Sequence, residues 1–213
     1  MTTDRYDTSG NLEAQLESGS NDSVLKNKLG IQDASEMDDI ELDLLIQLYD
    51  QIPDWVKKDQ KLNTADIKEW HRRWLGNVYT WAGQYRTVNM GKGEFQFAAA
   101  AQIDRLMEVV DRNFLSRYTP CSNMTDEQLV AAIAKVHVEL ILIHPFREGN
   151  GRISRLLANV MAMQAGKPEL DFSEWDEQKE RYFSAIQAGL DDYEPMEAMV
   201  RLVLPGVWKN EDE

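Results

Sequence analysis

One cysteine, Cys121, stands among 213 residues, so no internal disulfide can form and packing alone must hold the fold. Positive charge is also scarce: 23 Lys and Arg face 37 Asp and Glu, a formal net charge of −14. A field of that sign repels polyanions and argues against DNA or RNA as the principal ligand. It leaves room for a nucleotide, because ions screen distant charge beyond about 10 Å and a local arginine cluster can outweigh the acidic background. No apolar run approaches the roughly 18 residues a membrane span needs, so no membrane partner is expected. Met1 to Tyr6 carries no apolar leader, which with the lone cysteine predicts a cytoplasmic setting. The GxxxxGK[ST] phosphate loop is missing, as are internal repeats and low-complexity tracts. What remains is an ordinary hydrophobic share of 43%, enough for one domain with a well-buried core.

Along the chain, residues 1–22 are rich in Ser, Thr, Asn, Asp and Glu and predict a loosely ordered N-terminal arm, with residues 23–213 forming the domain. Helical spacing then recurs over Ser35 to Tyr49, Thr64 to Leu75, Ala98 to Leu115 and from Thr125 to Ile143. Thr125 with Gln128 is a capping pair, and Pro145 disfavours helix at His144, leaving that histidine at a helix mouth. Further helices follow over Ile153 to Gly166, Ser173 to Gly189 and Pro195 to Leu204. Pro53 marks a loop, and the tail Glu211-Asp212-Glu213 reads as solvated. Trp81 to Phe97 differs, with β-favouring residues on both sides of Gly91-Lys92-Gly93, and predicts a short hairpin. The expected fold class is all-α, a helical bundle of about seven helices with one β-hairpin flap.

Twelve residues, His144 to Arg155, hold a base, an acid, two glycines, an amide and three arginines between two strongly apolar helices. A helix start offers unpaired N–H groups and a partial positive charge that suit phosphate. Gly149, Asn150 and Gly151 would shape that anion-binding turn, while Arg152 and Arg155, three apart, can both reach phosphate. His144 has the proton affinity to accept a hydroxyl proton. Glu148 is an oxygen ligand suited to Mg²⁺ when phosphate completes the shell. Taken singly, His144 could be structural and the two arginines a solvated helix face, but that reading leaves the glycines and the buried flanks without a purpose. A metal set of His137, His144 and Glu148 would need continuous helix, which Pro145 interrupts. His71 and His137 fall on apolar stripes and read as packed histidines.

His144 through Arg155 resembles, position by position, the HxFx[DE]GNGRxxR signature of the Fic family of helical AMP-transferases. Trp81-Ala82-Gly83-Gln84-Tyr85-Arg86 and Val24-Leu25-Lys26-Asn27-Lys28-Leu29-Gly30 look like the same family. The resemblance implies a reaction in which a Ser, Thr or Tyr hydroxyl of a target protein attacks the α-phosphate of ATP, leaving AMP on the protein and releasing pyrophosphate. It further implies that His144 is the base, Glu148 the Mg²⁺ ligand, the Gly149-Asn150-Gly151 turn the phosphate cradle, and Arg152 and Arg155 the clamp on the outer phosphates. Val88, Asn89, Met90, Gly91 and Lys92 become the flap that pairs with the target's backbone. A branch with an altered turn acts as a kinase, but Gly149-Asn150-Gly151-Arg152 is intact here; a catalytically idle peptide binder is the other alternative.

Relatives with built-in inhibition carry [ST]xxxE[GN]. Ser9 to Glu13 is followed by Ala14, and Ser173 to Glu177 by Gln178, so neither completes the motif. The expectation is therefore restraint by a separate small antitoxin protein, or no restraint of this kind at all. The whole reading requires His144 to open on a cleft that Arg152 and Arg155 also reach.

Overall fold

Helix α5 (Asp126–Ile143) is the axis of the computed structural model, which describes residues 12–93 and 95–205. It starts where the sequence signals a start: Thr125 and Gln128 form a reciprocal capping box that satisfies two orphan N–H groups. Leu129, Ile133, Val136, Leu140 and Ile143 are all buried, so the helix is sheathed on nearly every side. The earlier helices are α1 (Ala34–Trp55) and α2 (Thr64–Leu75). A hairpin of β1 (Gly91–Lys92) and β2 (Phe95–Gln96) follows, with Gly91 opposite Gln96 and Lys92 opposite Phe95. Then come α3 (Ile103–Val110), α4 (Ser116–Tyr118), α5, α6 (Asn150–Gln164), α7 (Ser173–Glu177), α8 (Lys179–Ala188) and α9 (Glu194–Val203). Helices α6 and α9 lie against α5, and α1 packs on α2.

The all-α architecture with one small hairpin is the one the periodicity predicts, and the departures have local causes. Helix α1 runs past Pro53 to Trp55, because a proline in the final turn forfeits one hydrogen bond without blocking the turns before it. The segment expected as one helix over Ala98 to Leu115 is instead a 3-10 turn (Ala100–Gln102), α3, and a wide π turn (Asp111–Leu115). The π turn inserts a register shift, so Leu115 is buried while Phe114, the residue periodicity points inward, is half-buried. Ser173 to Gly189 breaks at Gln178 into α7 and α8, which share Trp175, Tyr182 and Ile186 as core.

Of the arm expected over residues 1–22, residues 1–11 lie outside the described residues, as does the tail 206–213 with its acidic end. From Leu12 the chain makes a 3-10 turn to Ala14, Leu16 bridges Leu25, and Glu13 is buried with its carboxylate accepting from the Thr87 N–H and hydroxyl.

Candidate active site

Between α5 and α6 the backbone turns twice through left-handed conformations, and each turn has a reason. His144 caps α5 at φ 53°, ψ 60°, and its N–H still bonds Leu140. That conformation costs a non-glycine residue about 1 kcal/mol or more, and Pro145, which excludes ordinary helix at His144, helps to impose it. Gly149 at φ 79° caps α6, and a Cβ there would stand 2.5 Å from Trp74 Cζ3, so only glycine fits. The loop is closed by Asn150, whose side-chain oxygen accepts from the Phe146 N–H at 2.8 Å while its amide donates to the Phe146 carbonyl at 2.8 Å. Phe146 is fully buried and stacks on His71 at 4.0 Å between ring centres. Asn150 is thus a structural brace as well as part of the turn.

Sequence spacing alone did not disclose what His71 does. It is buried, accepts at Nδ1 from the Gly83 N–H at 2.8 Å, and so donates from Nε2 to the Glu148 carbonyl at 3.1 Å. It ties the Trp81 to Arg86 turn to the loop that carries Glu148. Burial drives its pKa down to about 4, so it stays neutral and keeps that tautomer at neutral pH. His137 is likewise buried, bonded to the Tyr182 hydroxyl and facing the Ser154 carbonyl, a packed histidine.

His144 stands apart from both. It is half-buried, its ring lies flat on Phe97 at 3.7 Å, and it lines a cavity of about 720 Å³. Its Nδ1 sits 3.2 Å from the Ile141 carbonyl, which can only accept, so Nδ1 bears the proton and Nε2 is left as the basic nitrogen. Burial lowers its pKa to about 4; the Ile141 bond opposes this, Arg86 adds to it, Glu148 opposes it and Lys92 adds to it.

The same cavity is lined by Glu148, Gly151, Arg152 and Arg155 from the loop and α6, and by Met90, Gly91 and Lys92 from the hairpin. Gly149 and Asn150 are buried behind that wall. At the root of the flap, Val88 accepts from Arg86 and the Asn89 side chain accepts from the Ala100 N–H at 2.8 Å. Gly91 and Lys92 are exposed at the hairpin edge, and Lys92 Nζ lies 3.7 Å above the Phe183 ring of α8.

The two arginines are held differently. Arg152 pairs with Glu41 at 2.7 Å and Glu148 at 3.2 Å, and lies 4.7 Å over the Trp74 ring. Glu41 is itself buried and takes the Tyr79 hydroxyl at 2.7 Å. Arg155 makes a two-pronged bond to Asp176, at 2.7 and 3.0 Å, and packs over Phe172. Glu41, Tyr79 and Asp176 carry no motif in the sequence; only the fold brings them here.

A cleft that brings one histidine, two arginines and a glycine turn at a helix start under a small hairpin defines a helical domain with a pocket suited to an anion. Comparison with known proteins agrees: residues 61–162 match the Fic/DOC family model. A probable protein adenylyltransferase of Sinorhizobium fredii is 31% identical over 187 residues, 85% of this chain and 91% of that protein. A protein adenylyltransferase of Caenorhabditis briggsae is 36% identical over 141 residues, 65% of this chain and 26% of the relative. This chain therefore spans about a quarter of the nematode protein's length. Among solved structures, BepC of Bartonella tribocorum with bound AMPPNP superposes with a TM-score of 0.70 at 21% identity, covering 88% of this chain and 94% of that one. That likeness establishes the fold. The chain belongs to the Fic/DOC family.

Proposed function

We propose that the protein is a protein adenylyltransferase that moves AMP from ATP to a Ser, Thr or Tyr hydroxyl of a target protein. The observation that carries this reading is His144: its Nδ1 proton is committed to Ile141, and Nε2 is the base on a cavity that Arg152, Arg155 and the flap also line. The hydroxyl oxygen attacks the α-phosphorus, its proton passes to Nε2, and the bond to the β-phosphate oxygen breaks to release pyrophosphate. Triphosphate charge beside the imidazole favours its protonated form, so a base depressed by burial becomes stronger when nucleotide is bound. The first N–H groups of α6 and the two guanidinium groups fix the phosphates, which holds the α-phosphate in line.

Among the described residues Glu148 is the one carboxylate that lines this cavity; it is part-exposed, with Oε1 also accepting from the Gly149 N–H at 2.9 Å. A single carboxylate fits Mg²⁺ and not zinc, since Mg²⁺ takes its other ligands from phosphate and water. When bound, that ion would offset charge on the phosphates; Glu148 would be its protein ligand.

The hairpin presents the target: Gly91 and Lys92 offer an exposed strand edge to which an extended segment can pair. Control by a separate antitoxin protein is supported by where the acids lie. Glu13 is engaged with Thr87, and the acid on Arg155 is Asp176, not Glu177; Ser9 lies outside the described residues. A cytoplasmic setting is supported by the lone, buried thiol of Cys121. No described helix is long and apolar enough to cross a membrane.

Label from α-labelled ATP should reach a protein in a lysate, label from γ-labelled ATP should not, and His144→Ala should remove the transfer by a factor of about 10² or more. Transfer of γ-label instead would show the nucleotide reversed and a kinase. No transfer from either, with peptide binding retained, would show an idle binder.

A further inference from the structure

Arg86 is 2% exposed and is among the largest buried side chains, yet no salt bridge to it occurs among the described residues. Its partners are main-chain carbonyls. Nε donates to His144 at 2.6 Å; one terminal nitrogen donates to Val88; the other donates to Ala98 at 2.6 Å and Ile143 at 3.2 Å. Its own N–H donates to Pro145 at 2.8 Å. The last carbonyls of α5 have no helical partner and carry the negative end of the dipole, and the Glu13 carboxylate held at Thr87 adds charge nearby, so a buried cation is tolerated here without a carboxylate bonded to it.

The pattern of acceptors is informative. Ile143 and His144 belong to the end of α5, Val88 is the residue where the flap departs, and Ala98 is where it returns. One planar group therefore bolts both roots of the flap to the backbone of the base. We infer that Arg86 is a positioning residue that sets the register between the flap, and hence the target hydroxyl, and His144. The inference rests on the adenylyltransferase reading for its consequence, but the brace is a property of the chain alone. A lysine keeps the charge and cannot replace it, because an ammonium on a flexible stem lacks the rigid fork that reaches carbonyls on three segments at once. Ordinary packing would not need so many donors aimed at the flap roots and the helix end.

The test uses Arg86→Lys in the full chain with three readouts. Amide hydrogen exchange over residues 88–98 should quicken by about tenfold, the loss of hydrogen bonds to a charged group. The KM for the target should rise by about tenfold, while Kd for a fluorescent ATP analogue in the absence of target stays within about twofold. In Arg86→Ala, millimolar guanidinium should restore part of the lost transfer. Equal losses of nucleotide and target binding, or unchanged flap exchange, would overturn the inference. So would failure of both variants to fold even with guanidinium, which would make Arg86 a folding residue. If the unaltered protein transfers no α-label, the function reading fails, and the exchange measurement still decides the brace.

Discussion

The loop from His144 to Arg155 and the flap from Val88 to Phe97 face each other across one cavity, and they are built on opposite principles. Each turn of the loop is determined more than once: Gly149 by backbone angle and by Trp74, Phe146 by burial and by both bonds to Asn150, and Glu148's carbonyl by His71. The flap has two residues per strand, mostly exposed, and is tied at its roots and at Lys92. Groups that handle charge in a transition state need fixed geometry, since a small displacement costs much of the rate. A surface that accepts a segment of another protein needs a free edge and some give. Arg86 is where the two meet, bonded at once to the roots of the flap and to the end of α5.

If this contrast is right, the loop should be intolerant of the smallest change. Gly149→Ala adds one methyl group but forces a left-handed alanine into the Trp74 ring. The combined strain and overpacking should cost about 2–5 kcal/mol. Denaturant melts should show that loss, and transfer should fall to background. A variant of native stability and activity would mean that the loop relaxes freely and the contrast is false.

Much of the loop was legible in advance because its requirements are local. A proline after His144, glycines at the turn and an apolar run on each side are statements about neighbours in the chain, so spacing reveals them. The same holds for α2, whose predicted range Thr64 to Leu75 is the observed one, with Asn63 and Asp66 forming its capping box. Glu41 was illegible: it lies on an amphipathic helix rich in acids, and nothing nearby distinguishes it from Asp38 or Asp43 until Arg152 and Tyr79 are folded against it. His71 and Arg86 were hidden for a related reason. A buried polar group is defined by partners far away in sequence, at Glu148 for one and at Ile143 and His144 for the other. The π turn at Asp111–Leu115 escaped because a register shift leaves the apolar residues in place and only changes which of them face inward.

Acid should act on the loop side of the cavity first. All three histidines have depressed pKa values through burial, at about 4 for His71, about 3 for His137 and about 4 for His144. The unfolded chain takes up their protons near pH 6.5 and the folded one does not, so their contribution to stability is complete above about 6.5 and is lost as pH falls toward 4. Each fully buried histidine should cost up to about 1.4 kcal/mol per pH unit in that window, with half-buried His144 contributing less. Melting midpoints between pH 7 and 4.5 and the imidazole resonances of His71 should show it. A His71 resonance titrating near 6.5 would show that the ring under Phe146 is open to water.

The two arginines give a finer comparison within the loop. Glu41→Gln removes a buried partner from Arg152 and should cost about 1–3 kcal/mol. Asp176 is more than half exposed, so Asp176→Asn should cost less than about 1 kcal/mol. Because Asp176 occupies the guanidinium that would meet phosphate, the same variant should bind an ATP analogue a few times more tightly, read by fluorescence titration. Weaker binding would mean that Asp176 aims Arg155 at the nucleotide instead of competing for it.

The smallest effect is expected on the flap. Lys92 spans the cavity mouth to lie over Phe183, a cation–π contact at an exposed site worth about 0.5–1 kcal/mol. Lys92→Ala should leave the melting midpoint almost unmoved, since neither residue of β1 contributes to the core. Without the contact the hairpin tip should spend more time away from α8, and KM for the target should rise by a factor of about 2–5, within the range one such contact supplies. A loss as complete as that of His144→Ala would place Lys92 on the reacting phosphates, and the flap would then have to be counted with the rigid half of the site.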